Sequence, residues 1–137
     1  MAGPDPGHWL HRLDAAGWLD AAATELARAH EKLSQRSVRP GVTHARRAAG
    51  MAWNAVLVIA PDERYGRSYM EHVVALAVTA DEDASVPADV RAAARLLRDT
   101  PTLPSGLITI GKPDMSAHDA AQTIVAFARA RIGVGAG

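Results

Sequence analysis

The sequence predicts an all-α protein, an antiparallel bundle of four to five helices folded as one domain over residues 1–137. Three observations carry this expectation. Apolar residues recur at intervals of three and four along most of the chain. The stretches that carry them are rich in alanine, the strongest helix former. Helix-start chemistry stands ahead of several of them.

Trp9, Leu10 and Leu13, then Leu19, Ala22, Leu26, Ala29 and Leu33 follow the helical period, as one long helix or two joined near Gly17. The stripe lapses from Ser34 to Pro40, and Pro40-Gly41 reads as a boundary. A second helix runs from about Val42 to Ile59. Ala45, Ala48, Ala49, Ala52, Trp53, Val56 and Ile59 lie on one broad face, and the small residues among them permit close helix approach; Pro61 requires the helix to stop before it. The third helix starts at a capping box, Ser68-Tyr69-Met70-Glu71, in which the Ser hydroxyl and the Glu carboxylate satisfy backbone donors reciprocally. Its apolar stripe is Tyr69, Val73, Leu76 and Ala77. An acidic loop, Ala80 to Ser85, precedes a fourth helix opened by Pro87, with Val90, Ala93 and Leu97 inward and Arg91, Arg95 and Arg98 outward. Thr100 to Ser116 holds no helical pattern, with Leu107 to Ile110 reading as an extended segment. A last helix, capped by Ser116 with Asp119, passes through Ile124, Phe127, Ala128 and Ile132. The ends, about 1–7 and 133–137, read as flexible.

Composition excludes several function classes. No cysteine is present, which rules out a disulfide framework and thiolate metal sites and fits a reducing cytoplasm. The longest apolar run, Ala55 to Ala60, falls far short of the roughly 20 residues that span a bilayer, and Met1 to Pro6 lacks the features of a signal peptide. The expectation is a soluble cytoplasmic protein. Lys plus Arg equal Asp plus Glu at 15 each, which argues against a surface dedicated to duplex nucleic acid; 13 of those basic residues are Arg, the better phosphate fork. Glycine-rich phosphate loops, Ser/His/Asp arrangements and paired carboxylates do not occur. His8 and His11 are spaced for shared coordination but imply no third ligand, so neither a metal nor a cofactor is expected.

One segment sets a cation and a titratable base at a spacing suited to chemistry: Arg64-Tyr65-Gly66-Arg67-Ser68-Tyr69-Met70-Glu71-His72. In a continuous helix Arg67 and His72 would stand roughly 140° apart and diverge. With Ser68 as the N-cap, they occupy the positions on either side of the first turn whose side chains meet in a staple, at a helix N-terminus that favours anions. There His72 could serve as general base toward a ribose 2′-hydroxyl while Arg67 stabilises phosphoryl charge. The competing reading is a capping-turn pair that hydrogen-bonds Glu71 or a carbonyl. Arg64, Arg91, Arg95 and Arg98 are candidate phosphate or partner contacts, against which stands a solvated helix face. Arg46 and Arg47 read the same way. Trp9, Trp18 and Trp53 read as core or dimer contacts, His44 as a packed or capping residue, and His30 and His118 as surface groups.

The stretch from Thr43 to Leu57, with His44-Ala45 ahead of small residues and then a short aliphatic run, resembles the second helix of HEPN domains. The turn leading to His72 and Leu76, the stretch Val86 to Leu97 and the long segment before the closing helix extend the resemblance over about Leu19 to Ile132. It implies one of two branches. In one, a metal-independent ribonuclease of the toxin type, found in toxin-antitoxin systems, uses an Arg followed within four to six residues by a His; Arg67 and His72 match that signature. In the other, the domain is non-enzymatic, dimerises, and serves as partner of a small nucleotidyltransferase or associates with nucleotides. In the nuclease branch the motif more often introduces a late helix, whereas two further helices follow it here. The expected function is therefore the non-enzymatic homodimeric module, with the ribonuclease as the alternative.

Overall fold

A computed structural model describes residues 9–79, 86–101 and 112–136, and these are helical almost throughout, with no strand among them. A 3-10 turn at Trp9–Arg12 leads into α1 (Ala15–Ser34). Then come α2 (Val38–Ile59), a second 3-10 turn at Glu63–Tyr65, α3 (Tyr69–Thr79), α4 (Ala88–Asp99) and α5 (Ser116–Ala136). None of the helices is long and apolar enough to cross a membrane. The acidic loop, the segment Leu107 to Ile110, His8 and residues 1–7 lie outside the described residues.

Local chemistry moves some boundaries from where periodicity placed them. The first junction falls at Leu13–Asp14 rather than Gly17, because the Asp14 carboxylate accepts from Gly17 N at 2.7 Å and caps α1. The Trp18 indole N–H donates to Leu10 O at 2.8 Å and ties the preceding 3-10 turn to the helix. α2 begins at Val38, four residues before the expected start. Pro40 sits inside its first turn, where a missing N–H costs nothing, and the first helical bond runs from Gly41 N to Ser37 O at 3.0 Å. At the other end of the chain α5 continues to Ala136, so the expected tail from Gly133 is helical up to that residue. Glycine lowers helix propensity by about 1 kcal/mol but keeps its N–H donor. Asp114, rather than Asp119, supplies the side-chain cap of α5, accepting from Ser116 N at 2.9 Å and from the Ser116 hydroxyl at 2.5 Å.

α2 is the central helix, in contact with each of the other four. Its buried face is built from Ala45, Ala48, Ala49, Ala52 and Ala55 around Trp53, which is 1% exposed. Trp53 packs between Tyr65 (ring centroids 5.2 Å apart) and Phe127 (6.1 Å, nearly parallel), with the Arg131 guanidinium 5.8 Å from its ring. Trp18 is likewise buried, so both of these tryptophans are core residues as expected. Gly41 lies against Leu33, while His44 and Arg47 reach back to Glu25, so α1 and α2 form an antiparallel hairpin. The connection after α2 doubles back, and α3 starts beside Gly50 in the middle of α2. A Cβ at Gly50 would lie 2.6 Å from Tyr69 Cα, closer than atoms can approach, so glycine is what lets α3 seat there.

Arg46 locks α4 to the same central helix. Its Nε donates to Leu97 O at 2.8 Å and its Nη2 to Thr100 O at 2.9 Å, with Arg98 O at 3.5 Å. These are orphan carbonyls at the end of α4, and a cation there also opposes the helix dipole. Arg46 is therefore a helix-capping residue, not part of the solvated face that the sequence suggests.

Candidate functional site

The capping box at the start of α3 is present in the structure. The Ser68 hydroxyl accepts from Glu71 N at 3.1 Å, while Glu71 Oε2 accepts from Arg67 N, also at 3.1 Å, one residue further back than the usual return bond. Gly66, at φ 70°, makes the sharp turn between the Glu63–Tyr65 segment and this cap.

The open pocket shared by Arg67 and His72 that the ribonuclease alternative needs is not formed; their bonds to Glu71 and to the Tyr65 carbonyl follow the competing reading, a capping-turn pair. Arg67 is exposed, whereas His72 is 0% exposed and ranks among the largest fully buried side chains. His72 Nδ1 donates to Tyr65 O at 2.6 Å, and Nε2 lies 2.7 Å from the Asn54 side-chain amide. Burial pushes the imidazole pKa below its ordinary value, against weaker upward pulls from the Tyr65 carbonyl and the Glu71 charge. A neutral ring carrying its proton on Nδ1 leaves a lone pair on Nε2. The Asn54 atom placed at that distance is Oδ1, which accepts but cannot donate, so a neutral ring requires the amide to be turned with its NH2 toward Nε2, an exchange that also gives a partner to the otherwise unpaired Asn54 Nδ2. His72 thus pins the turn at Tyr65 and the start of α3 to the middle of α2.

Arg64, Arg95 and Arg98, weighed with Arg91 as phosphate or partner contacts against a solvated face, bond to groups of the chain itself. Arg64 holds Asp62 through Nη2 at 2.7 Å and Nε at 3.0 Å, which keeps that carboxyl below the usual carboxylate range. Arg95 Nε donates to Ala77 O at the end of α3, at 3.2 Å. Arg98 bonds both oxygens of Asp99, at 2.8 and 3.1 Å. Arg91 is half-buried in the first turn of α4, its N–H donating to Pro87 O at 3.1 Å.

The most concentrated set of charged groups lies elsewhere, at the seam of α1 and α2. Glu25 is 4% exposed although it is charged. Its Oε2 accepts from His44 Nδ1 at 2.5 Å; its Oε1 takes the Arg28 guanidinium at 3.2 Å and faces that of Arg47 at 3.7 Å. Three cationic or protonatable side chains therefore converge on one buried carboxylate. Tyr69, placed over Gly50 by the close approach of α3, lies within electrostatic reach of the same group. Burial pushes its hydroxyl pKa up, with Arg47 pulling it down, Glu25 raising it and Arg12 lowering it. Sequence reasoning passed over Glu25, yet a signal was there. It stands in the buried stripe Trp18, Ala22, Glu25, Ala29, Leu33, at a position where the helical period calls for an apolar residue. His44, expected to be packed or capping, is mostly buried and is also the partner of that carboxylate.

Among the described residues no group of three histidine, aspartate or glutamate side chains is placed to hold a metal ion. His30 and His118 meet edge to face, 5.1 Å between ring centroids, and His118 Nδ1 contacts Asp119 at 3.0 Å. A shallow groove between α4 and α5, lined by Asp89, Ala92, Leu96, Ser116, Asp119 and Thr123 among others, offers two carboxylates and neither an imidazole nor a cation. Comparison of the chain with protein-family models, with curated proteins and with solved structures finds no match.

Proposed function

We propose that this chain is a HEPN-like helical module without catalytic activity, which pairs with a second copy of itself and binds a nucleotide or a partner protein such as a small nucleotidyltransferase in the cytoplasm. The observation that carries the non-enzymatic reading is the sequestration of His72. A general base must reach the proton it removes, within about 3 Å or through one water. A ring with no exposed surface and both nitrogens in hydrogen bonds is a structural pin. The pairing is supported by Val74 and Val78, 39% and 51% exposed and one turn apart on α3, which give that helix an apolar outer edge.

The test is incubation of purified, EDTA-treated protein with single-stranded and structured RNA. The expected result is intact RNA. Cleavage that leaves 2′,3′-cyclic phosphate ends, and that Arg67→Ala abolishes without unfolding the protein, would overturn the reading in favour of the ribonuclease. Light scattering on the same sample is expected to give twice the 14.4 kDa chain mass.

A further inference from the structure

We infer that the Glu25-centred cluster is a binding site for a phosphoryl group, as carried by a nucleoside monophosphate or by free phosphate. This deepens the nucleotide part of the reading above and rests on it only for the choice of carrier.

The cluster has more cation than its carboxylate consumes. Glu25 supplies one negative charge, against the two guanidinium charges of Arg28 and Arg47. A guanidinium has five N–H donors in a fixed fork. Arg28 and Arg47 each present one terminal nitrogen to the same oxygen, Oε1, and their side chains remain 56% and 46% exposed. The unused edges of both forks are thus open to a second anion. Arg46, the preceding residue on α2, shows the contrast, since its guanidinium is directed onto carbonyls at the end of α4.

Glu25 also orients the third group. By accepting from His44 Nδ1 it fixes the ring and leaves Nε2, on the opposite edge, for a further partner; the His44 side chain is 19% exposed. Two guanidinium forks and an imidazole nitrogen, set around a carboxylate buried beneath them, match the several acceptor oxygens and the double charge of a phosphomonoester. Preorganisation is the role this gives Glu25. Without the buried carboxylate, two neighbouring arginines would repel each other and sample many rotamers; with it, they are held in place before a ligand arrives.

The experiment is a titration of the full chain with AMP and, separately, with inorganic phosphate, against chloride at equal ionic strength. It is followed by calorimetry and by the side-chain NMR signals of 13C-labelled histidine. The expected result is saturable binding that shifts the His44 signal. Arg47→Gln and Arg28→Gln should each weaken binding by about tenfold or more, the range of a lost charge-assisted bond. Arg129→Gln, an exposed arginine of α5 outside the cluster, should bind as the wild type does. Saturation by both probes identifies the phosphoryl group itself as the ligand, and saturation by AMP alone adds a contribution from the nucleoside. A response no larger than that to chloride overturns the proposal, as does wild-type affinity in folded Arg47→Gln and Arg28→Gln. If Arg47→Gln does not fold, Arg28→Gln, the more exposed of the two, carries the test. RNA cleavage or a monomeric mass would overturn the module reading without altering this titration, so the two failures are distinguishable.

Discussion

His72 makes the stability of this protein depend on pH in a direction that the structure fixes. In the unfolded chain it titrates as an ordinary histidine, near 6.5, whereas burial in the fold holds its pKa lower. As the pH falls through about 6.5, the unfolded state therefore takes up a proton that the folded state refuses. Stability contributed by the neutral ring is complete above that pH. It declines as the pH falls toward the folded pKa and loses nothing more below it. If the ring stays neutral in the fold, the loss at pH 5.5 reaches about 1.4 kcal/mol, a full proton's worth of linkage over one unit. That is a large part of the usual margin of a small domain. The perturbation is His72→Gln, which keeps a polar group facing Asn54 and Tyr65 but cannot titrate. Urea unfolding of both proteins at intervals from pH 7.5 to 5.5 gives the two slopes. Their difference isolates His72 from the other five histidines, which are common to both. The variant should be less stable at pH 7.5 and should lose less on acidification. Equal slopes would refute the reasoning, and so would a wild-type His72 NMR signal that titrates at or above 6.5, a readout that does not need the variant to fold.

Gly50→Ala places a methyl group 2.6 Å from Tyr69 Cα and 2.8 Å from Tyr69 Cδ1, and the first of these is backbone that cannot swing aside. The expected cost is about 1–3 kcal/mol in urea unfolding, and an unchanged midpoint would show that α3 does not need that approach. Arg46→Met keeps the stem but removes the guanidinium from the carbonyls of Leu97 and Thr100; a loss of about 1–3 kcal/mol is expected, with faster amide exchange at Thr100, whose N–H closes the last turn of α4. Exchange and stability both at wild-type values would mean that the cap contributes nothing.

What could be read in the sequence follows from how local each signal is. The start of α3 was legible because Ser68 and Glu71 answer each other within one turn, and the start of α4 because proline fits a first turn and little else. The start of α2 is ambiguous for the same local reason, since Pro40 reads equally as a break and as a first-turn residue. What decides between them is the packing of α2 against the end of α1. The fate of His72 was not legible. The spacing from Arg67 is right for a shared pocket, but the ring is claimed by Asn54, 18 residues earlier, and by a carbonyl in the preceding turn. Only the doubling back of the chain brings those groups together.

Arg46 and Arg47 show most directly why the functional reading moves away from the start of α3. As neighbours in the sequence they look interchangeable, and composition treats them as one basic patch. On a helix, however, a single step turns the side chain by about 100°. Because α2 is surrounded by the other four helices, that step carries it from one neighbour to another: Arg46 reaches α4 and is used up on carbonyls, while Arg47 reaches α1 and keeps half its surface free. Glu25 decides what that freedom means. Leucine at its place would have continued the apolar stripe of α1 and stabilised the hairpin by burial alone. A carboxylate there instead gathers His44, Arg28 and Arg47 into a fixed constellation, and burying a charge is costly unless such partners are held. The structural pin at His72 does not require that arrangement, since its partners are Asn54 and Tyr65. The seam of α1 and α2, where cations remain exposed around a buried acid, is therefore the place where this fold retains groups that packing alone does not need.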